Sequence, residues 1–206
     1  MYMKGKNILV FGASGQIGLH LIRRLTINNH MVTAVTRNLH QKGYKLKTQG
    51  NPGYIEVLEE NIFDQEKLIN LVKDKDICIN LIGILNQKKN NTFQNIHVNF
   101  PSLLSQICKE NGISQFIHLS ALGIEEATNS LYAKSKLDGE NEIKKNFEDA
   151  TILRPSIVYS AHDNFTTNLM TLLNRIPVFP IYYSGKTIFM PIHCTDLAEI
   201  ILKVMK

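Results

Sequence analysis

A tyrosine and a lysine stand four positions apart within residues 131–145, a segment whose sequence predicts a helix. Side chains at that spacing lie on one face of a helix, so Tyr132 and Lys136 should project together. A nearby ammonium group stabilises a tyrosinate, and a phenol whose pKa is lowered in this way can exchange a proton with a hydroxyl or a carbonyl. The pair therefore predicts acid–base chemistry, although the same spacing also arises by chance in helices without a site.

Three glycines follow a short apolar run near the start of the chain. Residues 7–11 are typical of a strand buried on both faces of a parallel sheet, and an amphipathic helix follows the glycines. In such a turn Gly12 permits the tight bend, Gly15 lets the backbone approach a pyrophosphate, and Gly18 allows close helix packing. This context predicts a dinucleotide site, with a glycine turn that holds no ligand as the alternative. The residues predicted to bind the dinucleotide here are Gly12, Ser14, Gly15, Gln16 and Ile17.

The end of the second predicted strand, residues 31–36, indicates which dinucleotide the turn favours. A site specific for NAD usually has an acid at this point to hold the ribose hydroxyls, whereas this chain has Arg37. An arginine can pair with a 2′-phosphate and stack on adenine, so NADP(H) is the favoured cofactor and NAD(H) the alternative. An exposed arginine in a loop without a ligand would look the same in sequence.

The elements that must position these groups alternate between strand and helix. The predicted strands are residues 7–11, 31–36, 54–57, 77–82, 115–119 and 150–153, and helices are predicted after the first of them, at 65–73, from about 95 to 112 and at 131–145. This alternation predicts an α/β fold, a Rossmann-type doubly wound parallel sheet with helices on both faces. Pro101 has no N–H group, so the helix that contains it should kink or begin late.

Ser120 directly follows the fifth predicted strand. Ligands of open parallel sheets bind at the carboxyl ends of the strands, and the glycine turn lies at that same edge. Ser120 is therefore expected near the dinucleotide, which makes chance a poorer explanation for Tyr132 and Lys136.

The chain after residue 155 loses the regular alternation. Residues 1–155 are predicted to form the dinucleotide-binding domain, and 156–206 the start of a small substrate lobe packed on it, with the last helix returning to the core. Residues 176–183 are apolar, aromatic and interrupted by prolines. Thr195 or Asp196 is expected to cap the last helix. No strand follows that helix, so the lobe is expected to be incomplete.

Composition narrows the class of protein. The 206 residues carry a net charge of +5 and are 44% hydrophobic, as in ordinary soluble globular proteins. No basic stretch is interleaved with aromatic residues, so nucleic acid is not an expected partner. No apolar run is long enough for a membrane span and no targeting segment is recognised, which favours a cytoplasmic location. Three cysteines, far apart in sequence, predict buried free thiols rather than a metal site or a disulfide.

The chain resembles short-chain dehydrogenases/reductases of the extended or atypical type. The likeness rests on the glycine turn, residues 80–83, residues 97–99, Ser120, Tyr132, Lys136 and residues 153–159. The resemblance implies that Tyr132 is the general acid and base and that Ser120 hydrogen-bonds the reacting oxygen. It also implies that Lys136 holds the nicotinamide ribose hydroxyls and tunes Tyr132. His118 and His193 are interpreted as packing residues.

The same resemblance implies further contacts with the cofactor. These come from Asn61, Ile62, Leu81, Ile82, Gly83, Asn99, Lys136, Pro155 and Ile157. Asn61 stands where the family often has an aspartate near adenine. For Asn99 an alternative stays open, because a buried asparagine that satisfies backbone groups near Pro101 would look identical in sequence.

Residues 80–83, 97–99, 116–123 and 130–136 are most similar to one branch of that superfamily. The branch holds the nucleotide-binding accessory subunit of mitochondrial respiratory complex I and bacterial relatives called NADH dehydrogenase or NAD-dependent epimerase/dehydratase. One implied function is hydride transfer on an unidentified small polar substrate. The other is a non-catalytic nucleotide-binding partner of a respiratory complex or a membrane surface, peripheral to the inner membrane. Residues 176–183 could face such a partner if exposed. Alternatively, they could cover the substrate pocket or pack against a C-terminal segment expected to be missing.

Overall fold

Six parallel strands form the central sheet of the structure, a computed structural model that describes residues 5–161, 163–176, 182–186 and 188–205. The strands are β1 (Asn7–Phe11), β2 (Met31–Thr36), β3 (Ile55–Glu59), β4 (Ile77–Asn80), β5 (Gln115–Leu119) and β6 (Thr151–Leu153). Their order across the sheet is β3-β2-β1-β4-β5-β6, so the chain reverses its direction of winding between β1 and β4. This is the strand order of the doubly wound Rossmann fold, and it confirms the predicted fold class.

Seven α-helices and four shorter elements connect and follow the strands of this sheet in the described part of the chain. The helices are α1 (Gln16–Ile27), α2 (Leu39–Lys47), α3 (Gln65–Val72), α4 (Phe100–Glu110), α5 (Leu131–Asn146), α6 (Asn164–Arg175) and α7 (Cys194–Val204). A π-helical segment, Gln94–Asn99, leads into α4, and a 3-10 helix covers Tyr182–Gly185. Strands β7 (Val158–Tyr159) and β8 (Ile192–His193) pair in parallel as a second, two-stranded sheet.

Side chains that alternate along each strand divide the core into two layers. In β1, Leu9 and Phe11 face one layer, which contains the buried faces of α3, α4 and α5. Ile8 and Val10 face the other layer, which contains α1, α2 and α7. Because both faces of β1 are covered, four of its five residues are fully buried, as its apolar sequence predicts.

Pro101 marks the boundary between the π-helical segment and α4. It occupies the first turn of α4, where its missing N–H group is tolerated. The α-helix therefore begins at Phe100 rather than near Asn95, and Gly112 ends it with a φ of +72°. The predicted late start is confirmed, while the wider helical turn before it was not predicted.

Two parts of the fold differ from the sequence-based expectation. Helix α2 was not predicted, although Asn38 caps it by accepting a hydrogen bond from the backbone N–H of Gln41 at 2.9 Å. The predicted cap of α7 was wrong in its residue: the imidazole of His193 accepts from the N–H of Thr195 at 3.3 Å. Asp196 instead lies in the first turn, where its charge favours the helix dipole.

The C-terminal part of the chain lies against the sheet through α7. Leu197, Ala198 and Ile201 are buried in the layer that α1 also covers, and Arg24 and Glu199 form an exposed ion pair at 3.7 Å.

A domain boundary at residue 155 stays a prediction. Of the apolar stretch 176–183, residues 177–181 lie outside the described residues. Across the described ranges, no helix combines the length and apolar character needed to cross a membrane. All three cysteines are buried free thiols, as predicted.

Candidate active site

A cleft of about 320 Å³ opens at the carboxyl ends of β1, β2 and β4, where the winding of the sheet reverses. Open α/β sheets bind their ligands at this crevice. Nine of the residues predicted to bind the cofactor line it: Gly12, Ser14, Gly15, Arg37, Asn61, Ile62, Leu81, Ile82 and Gly83. We call this cavity the dinucleotide cleft.

The glycine turn shapes one wall of the dinucleotide cleft through its backbone. Gly12 has a φ of +76°, a conformation that other residues rarely adopt. A Cβ atom on Gly18 would lie 2.3 Å from the carbonyl oxygen of Ala13, so only glycine lets α1 approach the turn this closely. Gly15 is the N-cap of α1, and the first turn of this helix contains no acidic residue. The positive end of the helix dipole therefore faces the cleft without a competing carboxylate, which suits a pyrophosphate.

Two cations lie at the β2 side of the dinucleotide cleft. Arg37 directly follows β2, and Lys42 comes from α2; both are exposed. Glu60 also lines the cleft, but its carboxylate pairs with Lys67 at 2.8 Å. Lys42 was not predicted from the sequence because helix α2 was not predicted. The sequence signal for this helix was its N-cap residue, Asn38.

A buried asparagine fixes the opposite wall of the cleft. Asn80, at the end of β4, accepts a hydrogen bond from the N–H of Ile82 at 3.0 Å. Its amide nitrogen lies 3.2 Å from Nδ1 of the buried His118. Burial and the nearby charge of Lys136 lower the pKa of His118 well below its usual value, so His118 stays neutral and can accept this bond. The two side chains thereby hold the loop Leu81 to Gly83 in place, which is the packing role predicted for His118.

Helix α5 brings Lys136 to the end of β5, beside Ser120. The ammonium group of Lys136 donates to the carbonyl oxygen of Leu119 at 2.8 Å, and the N–H of Ser120 donates to Leu153 at 2.7 Å. Tyr132 lies one helical turn before Lys136, half-buried. The three predicted catalytic residues therefore gather at the carboxyl edge of the sheet.

Three charged side chains lie close together beside Ser120, and we define the buried charge cluster as Lys136, Glu140 and the partly buried Arg154. Glu140 is fully buried, and Arg154 donates to its two carboxylate oxygens, from Nε to Oε1 at 2.9 Å and from Nη2 to Oε2 at 2.6 Å. Burial would raise the pKa of Glu140, but the hydrogen bonds and the positive charge of Arg154 outweigh it and leave the pKa lowered. The carboxylate is thus ionised inside the protein, four residues after Lys136 on the same helix.

Burial acts in opposite directions on Lys136 and Tyr132. It lowers the pKa of Lys136 to about 8, with Glu140 partly opposing the change. It raises the pKa of Tyr132, whose ring meets the edges of Phe93 and His97 at centroid distances of 5.9 Å and 5.4 Å. The expectation that Lys136 lowers the pKa of Tyr132 is therefore wrong for the protein alone, because burial dominates and the ammonium group is held by Leu119.

Six predicted cofactor residues lie outside the lining of the dinucleotide cleft: Gln16, Ile17, Asn99, Lys136, Pro155 and Ile157. Gln16 donates to Ser160 Oγ at 3.1 Å, towards β7. The carbonyl of Pro155 accepts from Leu122 at 2.9 Å, which ties this segment to the residues after Ser120.

Asn99 does not have either of its expected environments. Its side chain is exposed, accepts from Gln94 at 3.0 Å and donates to Asn95 at 3.1 Å. It is therefore neither in the cleft nor a buried group satisfying the backbone. The π-helical segment that contains it buries His97 instead, and His97 contacts Tyr132.

Sequence reasoning also missed His97 and Glu140 as parts of this region. Glu140 had a readable signal, because it follows Lys136 by one helical turn and opposite charges at that spacing attract. His97 had none, since its partners are distant in sequence. Among the described residues, no group of three or more His, Cys, Asp or Glu side chains could hold a metal ion.

The strand order, the glycine turn and the cleft at the switch point define a dinucleotide-binding Rossmann protein with a serine, tyrosine and lysine at its edge. The chain belongs to the NAD dependent epimerase/dehydratase family, whose model matches residues 8–206.

Curated relatives are moderately similar in sequence. "NADH dehydrogenase [ubiquinone] 1 alpha subcomplex subunit 9, mitochondrial" of Mus musculus is 28% identical over 197 residues, which are 96% of this chain and 52% of that protein. "Ceramide reductase" of Caulobacter vibrioides is 26% identical over 193 residues, 93% of this chain and 58% of that protein. The chain thus spans about half the length of the curated relatives it matches.

Solved structures share the fold. A putative NAD-dependent epimerase/dehydratase from Bacillus halodurans superposes with a TM-score of 0.74 at 20% identity, over 98% of this chain and 88% of that one. A dTDP-glucose 4,6-dehydratase from Streptomyces venezuelae, with NAD and TYD bound, gives a TM-score of 0.76 at 19% identity, over 97% of this chain and 71% of that one.

Proposed function

We propose that the chain transfers a hydride between a nicotinamide dinucleotide and a small polar substrate that carries a carbonyl or a hydroxyl group. The observation that carries this proposal is the position of α5. This helix brings Lys136 to the end of β5 beside Ser120, with Tyr132 one turn away on the same helix. The dinucleotide cleft lies at the same edge of the sheet.

Each of the three residues has a separate role in the proposed reaction. When bound in the cleft, the dinucleotide supplies or accepts the hydride. Ser120 Oγ donates a hydrogen bond to the substrate oxygen and positions it. Tyr132, whose raised pKa keeps the phenol neutral at pH 7, donates its proton to that oxygen during reduction and removes it during oxidation. The positive charge of Lys136 favours the tyrosinate that remains, and its ammonium group holds the nicotinamide ribose.

Replacing Tyr132 by phenylalanine tests the catalytic proposal. Oxidation of the reduced cofactor by a panel of aldehydes, ketones and nucleotide sugars is followed by absorbance. We expect Tyr132→Phe to lower turnover at least ~100-fold, since general acid–base catalysis contributes about that much or more. Tyr44→Phe, which changes an exposed tyrosine on α2, serves as the matched control. Unchanged turnover in Tyr132→Phe would exclude the proposed acid.

The finer proposal is a preference for NADP(H) over NAD(H). It is supported by Arg37 and Lys42 at the β2 side of the cleft, together with the absence of an acid directly after β2. A 2′-phosphate placed there would meet two cations. The remaining cofactor assignments, including Gln16, Asn99, Pro155 and Ile157, are weaker proposals because these residues do not line the cleft.

Calorimetric titration with NADPH and with NADH tests this preference. We expect NADPH to bind at least ~10-fold tighter, a difference of ~1.4 kcal/mol, and Arg37→Glu to abolish the difference. Arg23→Glu, which changes an arginine on the exposed side of α1, controls for the loss of net charge. Tighter binding of NADH by the unmodified chain would overturn the NADP assignment.

A second candidate function rests on the relatives named as subunits of NADH dehydrogenase. We propose for this case a nucleotide-binding partner of a respiratory complex at the inner membrane, with cofactor binding but little turnover. Affinity purification from native membranes distinguishes the candidates. Respiratory subunits that co-purify with both the chain and Tyr132→Phe would favour the partner role, and their absence would favour the enzyme.

A further inference from the structure

His97 lies between the loop that lines the dinucleotide cleft and the helix that carries Tyr132. It belongs to the π-helical segment and is 1% exposed. Its Nε2 accepts a hydrogen bond from the N–H of Ile84 at 3.1 Å, and Ile84 lines the cleft. Its Nδ1 lies 2.9 Å from the hydroxyl of Ser135 on α5. One imidazole therefore connects two regions that are distant in sequence.

The hydrogen bonds on either side fix the tautomer of His97. The Ser135 hydroxyl donates to the carbonyl oxygen of Tyr132 at 2.8 Å, so it is available to His97 as an acceptor. Nδ1 must then carry the proton, and Nε2 must be the acceptor that the N–H of Ile84 needs. The bonds run in one direction, from the N–H of Ile84 through His97 and Ser135 to the backbone carbonyl of Tyr132.

The surroundings of the ring favour this neutral form. Burial and the charge of Lys136 lower the pKa of His97 to about 4. Phe93 stacks on one face at a centroid distance of 5.2 Å, and Tyr132 meets the ring at an angle of 89°. The imidazole is thus neutral at pH 7 and held by aromatic contacts as well as by hydrogen bonds.

The backbone at His97 is also shaped to meet α5. Pro101 has no N–H group to bond the His97 carbonyl four residues earlier. A Cβ atom on Gly139 of α5 would lie 1.8 Å from that carbonyl oxygen, so the two backbones meet where no side chain could fit. Both the main chain and the ring of His97 therefore contact α5.

We propose that His97 is a positioning residue that couples the loop at Ile84 to Tyr132, so that occupation of the dinucleotide cleft and the placement of the phenol depend on one another. The proposal rests on the proposed function for the role of Tyr132 and of the cleft. The coupling itself is a property of the protein alone and can be tested without substrate.

Ser135→Ala is the decisive variant, because Ser135 contacts His97 but has no hydrogen bond with Ile84. Without the Ser135 hydroxyl, the Nδ1–H group of His97 loses its acceptor, so the ring is no longer held in one tautomer. The hydrogen bond from the N–H of Ile84 to Nε2 is weakened as a result. We expect the amide of Ile84 to exchange with solvent deuterium at least ~10-fold faster, with Phe116 in β5 unchanged as the internal reference. Ser130→Ala is the matched control, since it removes the N-cap hydroxyl of the same helix without touching His97.

Two further measurements extend the test, and the first of them does not depend on the proposed function. Nitrogen-15 NMR of the unmodified chain should show His97 protonated on Nδ1 at pH 7. Ser135→Ala should also bind NADPH and NADH ~3- to 10-fold more weakly than Ser130→Ala does.

Equal exchange at Ile84 in both serine variants, or protonation of His97 on Nε2, would overturn the coupling. If the unmodified chain binds neither dinucleotide, the proposed function fails, while the exchange and tautomer measurements still decide whether His97 links the loop to α5.

Discussion

The dinucleotide cleft and the buried charge cluster lie at the same edge of the sheet but differ in which parts of the chain form them, backbone in one and charged side chains in the other. Two walls of the cleft are shaped by backbone: the glycine turn with the N-terminus of α1, and the loop after β4. The charge cluster consists of charged side chains, of which Glu140 and Lys136 are buried and Arg154 is partly exposed. A site made of backbone is fixed by local sequence, whereas a site made of buried charges depends on partners distant in the chain.

The largest expected effect comes from removing the acid of the charge cluster. Glu140→Gln removes the buried carboxylate that pairs with Arg154 and the nearby negative charge that favours the ammonium form of Lys136. We expect it to lower the free energy of unfolding by about 3 to 5 kcal/mol, as breaking buried ion pairs commonly does. Urea denaturation at pH 7 measures this.

The matched control for Glu140 is Glu125, which binds the same arginine at 2.9 Å. The side chain of Glu125 is 58% exposed, whereas that of Glu140 is 1% exposed. Glu125→Gln should cost about 1 kcal/mol or less, because water screens an exposed pair. Equal losses in the two variants would show that burial of the cluster does not determine its contribution.

The pH dependence of stability gives the next largest expected effect. Lys136 has a pKa of about 8 in the folded protein and an ordinary value of 10.5. Between these values the unfolded chain binds the proton and the folded chain does not, so folding is favoured as the pH rises. Relative to Lys136→Met, the unmodified chain should gain about 1.4 kcal/mol per pH unit across this window.

Unfolding by urea at pH 7 and at pH 10 measures that gain. Lys134→Met removes a lysine from the exposed face of the same helix and shows how much of the change follows from losing any lysine. A stability difference that stays flat with pH for Lys136→Met would mean that water reaches the ammonium group.

The two regions also differ in how far the sequence could predict them. Gly12, Gly15 and the strand before them predicted the cleft wall, because the turn and the helix N-terminus follow from adjacent residues. The six-stranded sheet followed from the alternation of strands and helices, although α2 was missed because a cap at Asn38 is a weak signal without apolar periodicity. Local rules were sufficient for these elements.

The charge cluster and His97 could be predicted only in part. The spacing of Tyr132 and Lys136 placed them on one face, but the raised pKa of Tyr132 depends on Phe93 and His97, some forty residues earlier. The exposure of Asn99 depends on a π-helical turn that no local sequence pattern predicted. Contacts between α5 and the π-helical segment decide these environments, and they exist only in the folded chain.

The smallest expected effect comes from a side chain in the dinucleotide cleft. The hydroxyl of Ser14 accepts from Thr36 Oγ1 at 3.4 Å, a long bond in a partly exposed position. If the cleft is a backbone structure, Ser14→Ala should change the free energy of unfolding by no more than about 0.5 kcal/mol, as measured by the urea midpoint. Ser14→Ala should therefore stay folded at urea concentrations that unfold Glu140→Gln. A loss above about 2 kcal/mol would mean that side chains shape the cleft as well, and the contrast between the two regions would not hold.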